Sequence, residues 1–415
     1  MDKRLLIPLK GFRDFLPDQL AIRNRVKATL TEVFTSFGFQ PLETPDLEYQ
    51  QVLLGKYGPD ADKLVYTFND KGGRPVGMRY DLTVPTARVA AAYSHLLPTP
   101  FKRYQIQRVW RADKPQLGRY REFEQCDIDI LNSTSPLADA EIIAIIHASL
   151  LALKLPQFTI RLNSRSILLS LIEAASIDKS QALSVISSID KLDKKSKDEV
   201  CLELSEKGIT TEQTEKLFTY LSSAKPDVYL QQVIDYAQKL GVSSDYYQFD
   251  PSLARGLDYY TGPIFETVVT SPKIGSVTGG GRYDQLISSL GGPDWPAVGT
   301  TIGLDRLCDV ITAHNLMSDA FRPSTVALIT VFSADLLDAS LRLTHELRTH
   351  HLPVEIFLGT QPLQKQLKFA DKKRIPYALI VGPDEVKSNQ ITVKNLTDGT
   401  QQTLSLDAVV SLLKS

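Results

Sequence analysis

The strongest constraint on this chain is a pair of segments, Phe101–Arg111 and Arg119–Ile130, that read as long strands. Ala112–Gly118 between them holds Pro115 and Gly118, so the pair reads as a hairpin. Side chains alternate along a strand. Arg119, Arg121, Phe123, Gln125, Asp127 and Asp129 therefore share one face, and Arg103, Gln105, Gln107 and Arg111 share a face of the partner. Such a face is a poor hydrophobic core. It is either a solvated edge sheet or a binding floor, and two paired strands with the same polar face around one Phe favour the floor. Its chemistry suits a nucleotide, because guanidinium groups fork onto phosphate oxygens and Phe123 can stack on a base. Asp129 lies about 20 Å further along an extended strand. A second substrate, cationic or proton-donating, fits at that end.

Around the hairpin the pattern changes several times. Asp18–Phe37 has helical spacing, with Ile22, Val26, Leu30, Val33, Phe34 and Phe37 on one face, Gly38 as cap, and a strand Phe39–Pro45 after it. Leu137–Leu153 reads as a helix and Phe158–Leu162 as a strand. From Ser164 to about Tyr246, Leu, Ser and Lys dominate and strand signals vanish, which predicts a helical insertion. Strand signals return at Tyr247, and Gly is frequent through Gly303. After Arg322-Pro323, strands Val326–Phe332, Val354–Leu358 and Tyr377–Val381 alternate with helices Ala334–His350 and Leu363–Arg374. Strands Gln390–Asn395 and Gln401–Leu406 flank the turn Thr397-Asp398-Gly399, and Asp407 caps a final helix. A chain of 415 residues exceeds what one core usually supports. The expected fold is an α+β domain, residues 1–163 and 247–320, built on an antiparallel sheet of six or seven strands flanked by helices. A helical insertion, 164–246, interrupts it, and an α/β domain with a mixed five-stranded sheet, 324–415, follows.

Composition narrows the function. The chain is 43% hydrophobic and 23% charged, as in ordinary globular proteins, and no apolar run is long enough to span a bilayer. Met1-Asp2-Lys3-Arg4 leads only into a short apolar stretch broken by Pro8, so no signal peptide is expected. Cys126, Cys201 and Cys308 form no CxxC pair, which speaks against a disulfide framework or zinc site and fits a reducing cytosol. A net charge of −1 predicts no indiscriminate binding of nucleic acid, so any RNA contact is local.

Three further stretches are weak alone. Arg255-Gly256-Leu257-Asp258-Tyr259-Tyr260-Thr261-Gly262 reads as a turn with two half-buried tyrosines. Gly279-Gly280-Gly281-Arg282-Tyr283-Asp284 holds a glycine triplet that permits close backbone approach. Gly299–Arg306 is a glycine-bounded strand entering a helix. Together they are specific. Arg255–Gly262 and Gly279–Asp284 resemble the two histidine signatures of the histidine–tRNA ligases. Phe101–Ile130 resembles motif 2 of the class II aminoacyl-tRNA ligases, Gly299–Arg306 their motif 3, and Asp18–Pro45 their dimer-forming motif 1. Leu363–Gly382 resembles their anticodon-binding domain. The resemblance covers nearly the whole chain outside the insertion.

The resemblance implies ATP-dependent activation of L-histidine to histidyl-adenylate with release of pyrophosphate, then transfer to the terminal adenosine of tRNA(His). It implies a homodimer, Mg²⁺ and a cytoplasmic location. Arg111 would hold the α-phosphate and the amino-acid carboxylate, Arg119 the terminal phosphates, and Phe123 with Arg306 the adenine. Asp81, Leu82 and Thr83 would hold the α-ammonium, with Gln125 near it. Asp129 and Tyr260 would bond the imidazole, Tyr259 and Tyr283 would wall the pocket, and Arg255 would sit at the α-phosphate. Asp113 joins the ATP site, and Asp113 and Asp305 are the metal candidates. Many members carry Glu where this chain has Asp81, Asp113 and Asp129. Asp occurs there in archaeal- and eukaryotic-type members, which Arg119–Phe123 and Gln125-Cys126-Asp127 also resemble. The nearest rival is the non-catalytic regulatory paralogue of ATP phosphoribosyltransferase, which lacks the arginine motif and the anticodon domain. Other class II ligases and an RNA-binding module without catalysis follow. The basic helix Leu363–Arg374 is either a solvated face or an RNA contact.

Overall fold

The computed structural model describes residues 3–57, 62–116, 118–254, 259–317 and 324–414. The chain divides into two compact units, residues 1–318 and 319–415.

The first unit is built on an eight-stranded sheet of order β1-β5-β6-β11-β10-β9-β7-β8. Its six central strands are antiparallel: β5 Phe101–Trp110, β6 Glu122–Leu131, β11 Ala297–Gly303, β10 Ser276–Arg282, β9 Pro263–Val269 and β7 Phe158–Ser164. The edges differ from the expected all-antiparallel sheet. β1, Gln40–Pro41, runs parallel to β5, and β8, Tyr247–Phe249, parallel to β7. Both are too short to announce themselves by alternation. A three-stranded sheet, β2 Leu47–Tyr49, β4 Pro75–Met78 and β3 Thr67–Asn69, adjoins them in sequence.

Register fixes the site. Arg103 pairs with Asp129, Gln105 with Asp127 and Gln107 with Gln125 across β5 and β6, so the polar faces coincide as the alternation requires. Cys126, Ile128 and Ile130 point the other way and are buried against helices. Helix Pro136–Ala152 is largely apolar and is buried between sheet strands and helix Val228–Lys239. Ser135 caps it, its hydroxyl accepting the Leu137 N–H at 3.2 Å, with Pro136 at the first helical position. Helix Pro17–Ser36 buries Ile22, Val26, Leu30 and Phe34, and also Arg23. That arginine on an apolar face bonds Asp305 at 2.8 Å and Glu124 at 2.7 Å.

Between Arg165 and Lys239 the described residues form helices and 3-10 turns with no strand. Their core (Leu168, Ile172, Val185, Ile186, Val200, Leu204, Leu217, Leu221) is continuous with Leu253, Ala254, Tyr260 and Ile264 of the main sheet region.

The second unit has a mixed sheet of order β13-β12-β14-β15-β16. β12 Ala327–Ile329 lies parallel to β13 Val354–Ile356 and β14 Tyr377–Ile380; β15 Ile391–Asn395 and β16 Gln401–Leu404 complete it antiparallel. In helix Leu363–Lys372, Gln366 is buried and bonds both main-chain groups of Val331, at 2.9 and 2.8 Å. At the final helix, Leu406–Lys414, Ser405 caps in place of the expected Asp407. The Ser405 hydroxyl accepts the Ala408 N–H at 3.4 Å, and Asp407 lies in the first turn.

Candidate active site

The polar floor lines a cavity of about 750 Å³. It gathers Asp81, Thr83, Arg111, Asp113, Arg119, Phe123, Gln125, Asp129, Tyr259, Tyr260, Tyr283, Asp305 and Arg306 around one space. Leu82, by contrast, is buried in the protein core and contributes no lining surface. Arg255 lies outside the described residues.

At one end sit aromatic rings and buried carboxylates. Asp129 ion-pairs with Arg103 at 2.5 Å and accepts from the Tyr283 hydroxyl. Both Asp129 and Arg103 are almost wholly buried. Rings of Tyr259, Tyr260 and Tyr283 meet edge to face, Tyr259 lying 4.9 Å from Tyr260 and 6.0 Å from Tyr283. The glycines make this packing possible. A Cβ on Gly281 would come within 2.6 Å of the Pro263 carbonyl and 2.9 Å of the Tyr260 ring, and one on Gly280 within 2.1 Å of the Gly299 carbonyl. Arg282, in the same signature, turns away from the cavity and pairs with buried Asp139 at 2.5 Å.

Beside this end, the buried Asp81 Oδ2, Gln125 Oε1 and Asp127 Oδ1 take no hydrogen bond from the described residues, nor does Thr300 Oγ1, and Asp129 Oδ2 meets only the Arg103 ion pair. The other Asp81 oxygen accepts from the Tyr57 hydroxyl and the Val84 N–H, both at 3.1 Å. Gln125 is oriented by its amide, which donates to Thr301 at 3.3 Å. Burial raises the pKa of Asp81, Asp127 and Asp129, and that of Asp127 reaches about 8, with Asp129 adding to the rise and Arg103 opposing it. Unpartnered buried acceptors are costly unless a ligand supplies donors.

At the other end Arg111 lies over two rings, its guanidinium carbon 4.2 Å from the Tyr80 centroid and 5.2 Å from that of Phe123. Its Nε donates to the Tyr80 carbonyl at 3.0 Å. Arg119 pairs with Asp113 at 2.7 Å, and Arg306 donates to the Gly118 carbonyl at 2.9 Å.

Asp305, a metal candidate by its motif, is bonded on both oxygens by protein donors. One oxygen accepts from Arg13 and Arg23, the other from the Glu124 N–H at 2.9 Å. A carboxylate held by two guanidinium groups and an amide is a structural anchor. Among the described residues no three His, Cys, Asp or Glu side chains are grouped to hold a metal ion.

Asp127 and Arg103 are floor residues to which the sequence assigned no role. Both lie on the polar face recognised in the sequence, and their register positions opposite Gln105 and Asp129 were the available signal. Tyr57 left no signal beyond an isolated aromatic residue.

Comparison with known proteins adds lineage to this geometry. A family model described as histidyl-tRNA synthetase matches residues 11–307, and one described as anticodon binding domain matches residues 325–415. The histidine–tRNA ligase of Gloeobacter violaceus is 38% identical, over 97% of this chain and 97% of its own. That of Rhodopirellula baltica is 39% identical, over 98% of each. The crystal structure of histidyl-tRNA synthetase from Nostoc sp. PCC 7120 matches with a TM-score of 0.83 at 29% identity, covering 98% of both chains. The family model spans well over half of the sequence and both relatives align end to end, so the chain belongs to the histidyl-tRNA synthetase family.

Proposed function

We propose that this chain activates L-histidine with ATP and transfers it to tRNA(His). The observation that carries the reading is the group of unpartnered buried acceptors that includes Asp81 Oδ2, Gln125 Oε1 and Asp127 Oδ1, beside the Asp129–Tyr283 pair. An α-ammonium is a cation with three donors, and these acceptors suit it in sign. The imidazole then lies among Asp129, Tyr259, Tyr260 and Tyr283, which offer a carboxylate acceptor and aromatic walls. This places the amino acid at one end of the floor and leaves the arginine end for the nucleotide.

ATP lies with its base between Phe123 and Arg306, its α-phosphate near Arg111 and its terminal phosphates at Arg119. The histidine carboxylate attacks the α-phosphorus and pyrophosphate leaves. Charge accumulates on the α-phosphate oxygens in that step, so preorganised guanidinium groups lower the barrier. Arg255 is assigned to the same phosphate by its motif. Little proton transfer is needed, which agrees with a site made of arginines and carboxylates. Mg²⁺ would supply further charge compensation on the phosphates. Asp113, which lines that end and pairs with Arg119, would meet it, and phosphate oxygens would complete its shell.

In this reading residues 1–163 and 247–320 form the catalytic domain, 164–246 an insertion that buttresses Tyr260, and 324–415 the domain that reads the anticodon. The protein works as a homodimer in the cytoplasm, motif 1 supplying the dimer contact. Among the described residues no helix is long and apolar enough to cross a membrane. The regulatory-paralogue alternative is disfavoured by the match over residues 325–415 and by the full-length alignment to ligases. Charging of tRNA by each of the twenty amino acids tests the function. Histidine alone should be joined, and only to tRNA(His); efficient charging by another amino acid refutes the proposal.

A further inference from the structure

We propose that Arg13 is a positioning residue for the nucleotide: it clamps the loop between β5 and β6 onto helix Leu304–Ala313. This rests on the ATP reading above. The Gly11 carbonyl accepts the Arg121 N–H at 2.9 Å and the Glu122 N–H at 3.4 Å. Gly11 has φ +92°, and a Cβ there would come within 2.8 Å of Arg121 Cγ and 2.9 Å of Pro115 Cγ. The N-terminal segment therefore crosses the base of the loop at backbone contact, where only glycine fits. Two residues on, the Arg13 guanidinium carbon lies 3.2 Å from the Tyr120 ring centroid, and the same group ion-pairs with Asp305. Phe15 backs the guanidinium groups of Arg13 and Arg23, at 4.9 and 4.0 Å.

The two partners of Arg13 are the chain neighbours of two nucleotide candidates. Tyr120 follows Arg119, and Asp305 precedes Arg306. Arg13 itself does not line the cavity, so it acts through those neighbours. One stack and one ion pair through Arg13 thus join the loop that carries Arg119 to the helix that carries Arg306, alongside the direct Arg306–Gly118 hydrogen bond and the Tyr120 bond to Asp309. A loop ordered only by ATP would charge its ordering entropy against binding, whereas a loop clamped beforehand does not. A Lys at this position keeps the charge but loses the planar stack.

Pyrophosphate exchange with the full chain tests the proposal. Arg13→Ala should raise KM for ATP about tenfold while moving KM for histidine by no more than about twofold. Arg13→Lys should fall between wild type and Arg13→Ala. Tyr120→Leu should also raise KM for ATP, and the double variant should fall short of the product of the single effects, since the Arg13–Tyr120 stack is lost in both. An unchanged KM for ATP in Arg13→Ala, or an equal rise in both KM values, overturns the proposal. Should Arg13→Ala fail to fold, Tyr120→Leu carries the test on the same criterion. Arg119→Ala separates the two layers. If it leaves KM for ATP unchanged, the ATP reading itself fails; if it raises KM and Arg13→Ala does not, only the role of Arg13 fails.

Discussion

Gly299 lies opposite Asp129 across β6 and β11, and a Cβ on Gly299 would stand 1.9 Å from an Asp129 carboxylate oxygen. The carboxylate folds over the glycine to reach Tyr283 and Arg103. Gly299→Ala must therefore displace Asp129. The variant should raise KM for histidine by about tenfold or more and leave KM for ATP nearly unchanged, because the mispaired group sits at the amino-acid end. Steady-state kinetics on both substrates reads the split, and equal effects would remove Asp129 from the histidine pocket.

Asp127 carries a pH signature. In the folded protein burial lifts its pKa to about 8, with Asp129 and Asp81 adding to the rise and Arg103 and the Thr301 hydroxyl opposing it. In the unfolded chain it titrates near about 4. A carboxyl that holds its proton more tightly when folded contributes stability that is complete below about pH 4 and is lost as pH rises through about 8. The unliganded protein should lose thermal stability between about pH 4 and 8 and level off above that, and Asp127→Asn should flatten the loss. Calorimetric Tm against pH measures both, and identical slopes would show that Asp127 does not titrate there.

The second unit has its own core, from Ala327 and Ile329 through Leu347, Leu379 and Val409. A chain ending near residue 320 should retain histidine-dependent pyrophosphate exchange, since activation needs no tRNA. It should charge tRNA poorly and stop distinguishing anticodon variants, because unpaired bases are read by contacts that the removed domain would supply. Continued discrimination by the truncated protein would refute the anticodon assignment of residues 324–415.

The hairpin was legible because alternation over two ten-residue strands fixes which side chains share a face, and the register left no freedom. What alternation does not reveal is which polar groups on that face pair with each other. Arg103 and Asp127 were therefore placed on the floor without a role until the strands were closed. Arg23 was hidden for a related reason: its partners, Glu124 and Asp305, lie 101 and 282 residues away. The ion pairs of Asp305 with Arg13 and Arg23 were hidden in the same way. The parallel edge strands β1 and β8, of two and three residues, are set by tertiary contact alone. Motif identity, rather than periodicity, located the tyrosines and the glycine triplet.

The central claim is that one floor binds histidine at its carboxylate end and ATP at its arginine end. The most direct measurement is exchange of labelled pyrophosphate into ATP in the absence of tRNA, with each amino acid in turn, for the wild type and Asp129→Asn. The wild type should exchange with histidine alone, and Asp129→Asn should need about tenfold or more histidine with ATP dependence preserved. Exchange without histidine, or an Asp129→Asn protein with unaltered histidine dependence, would contradict the account.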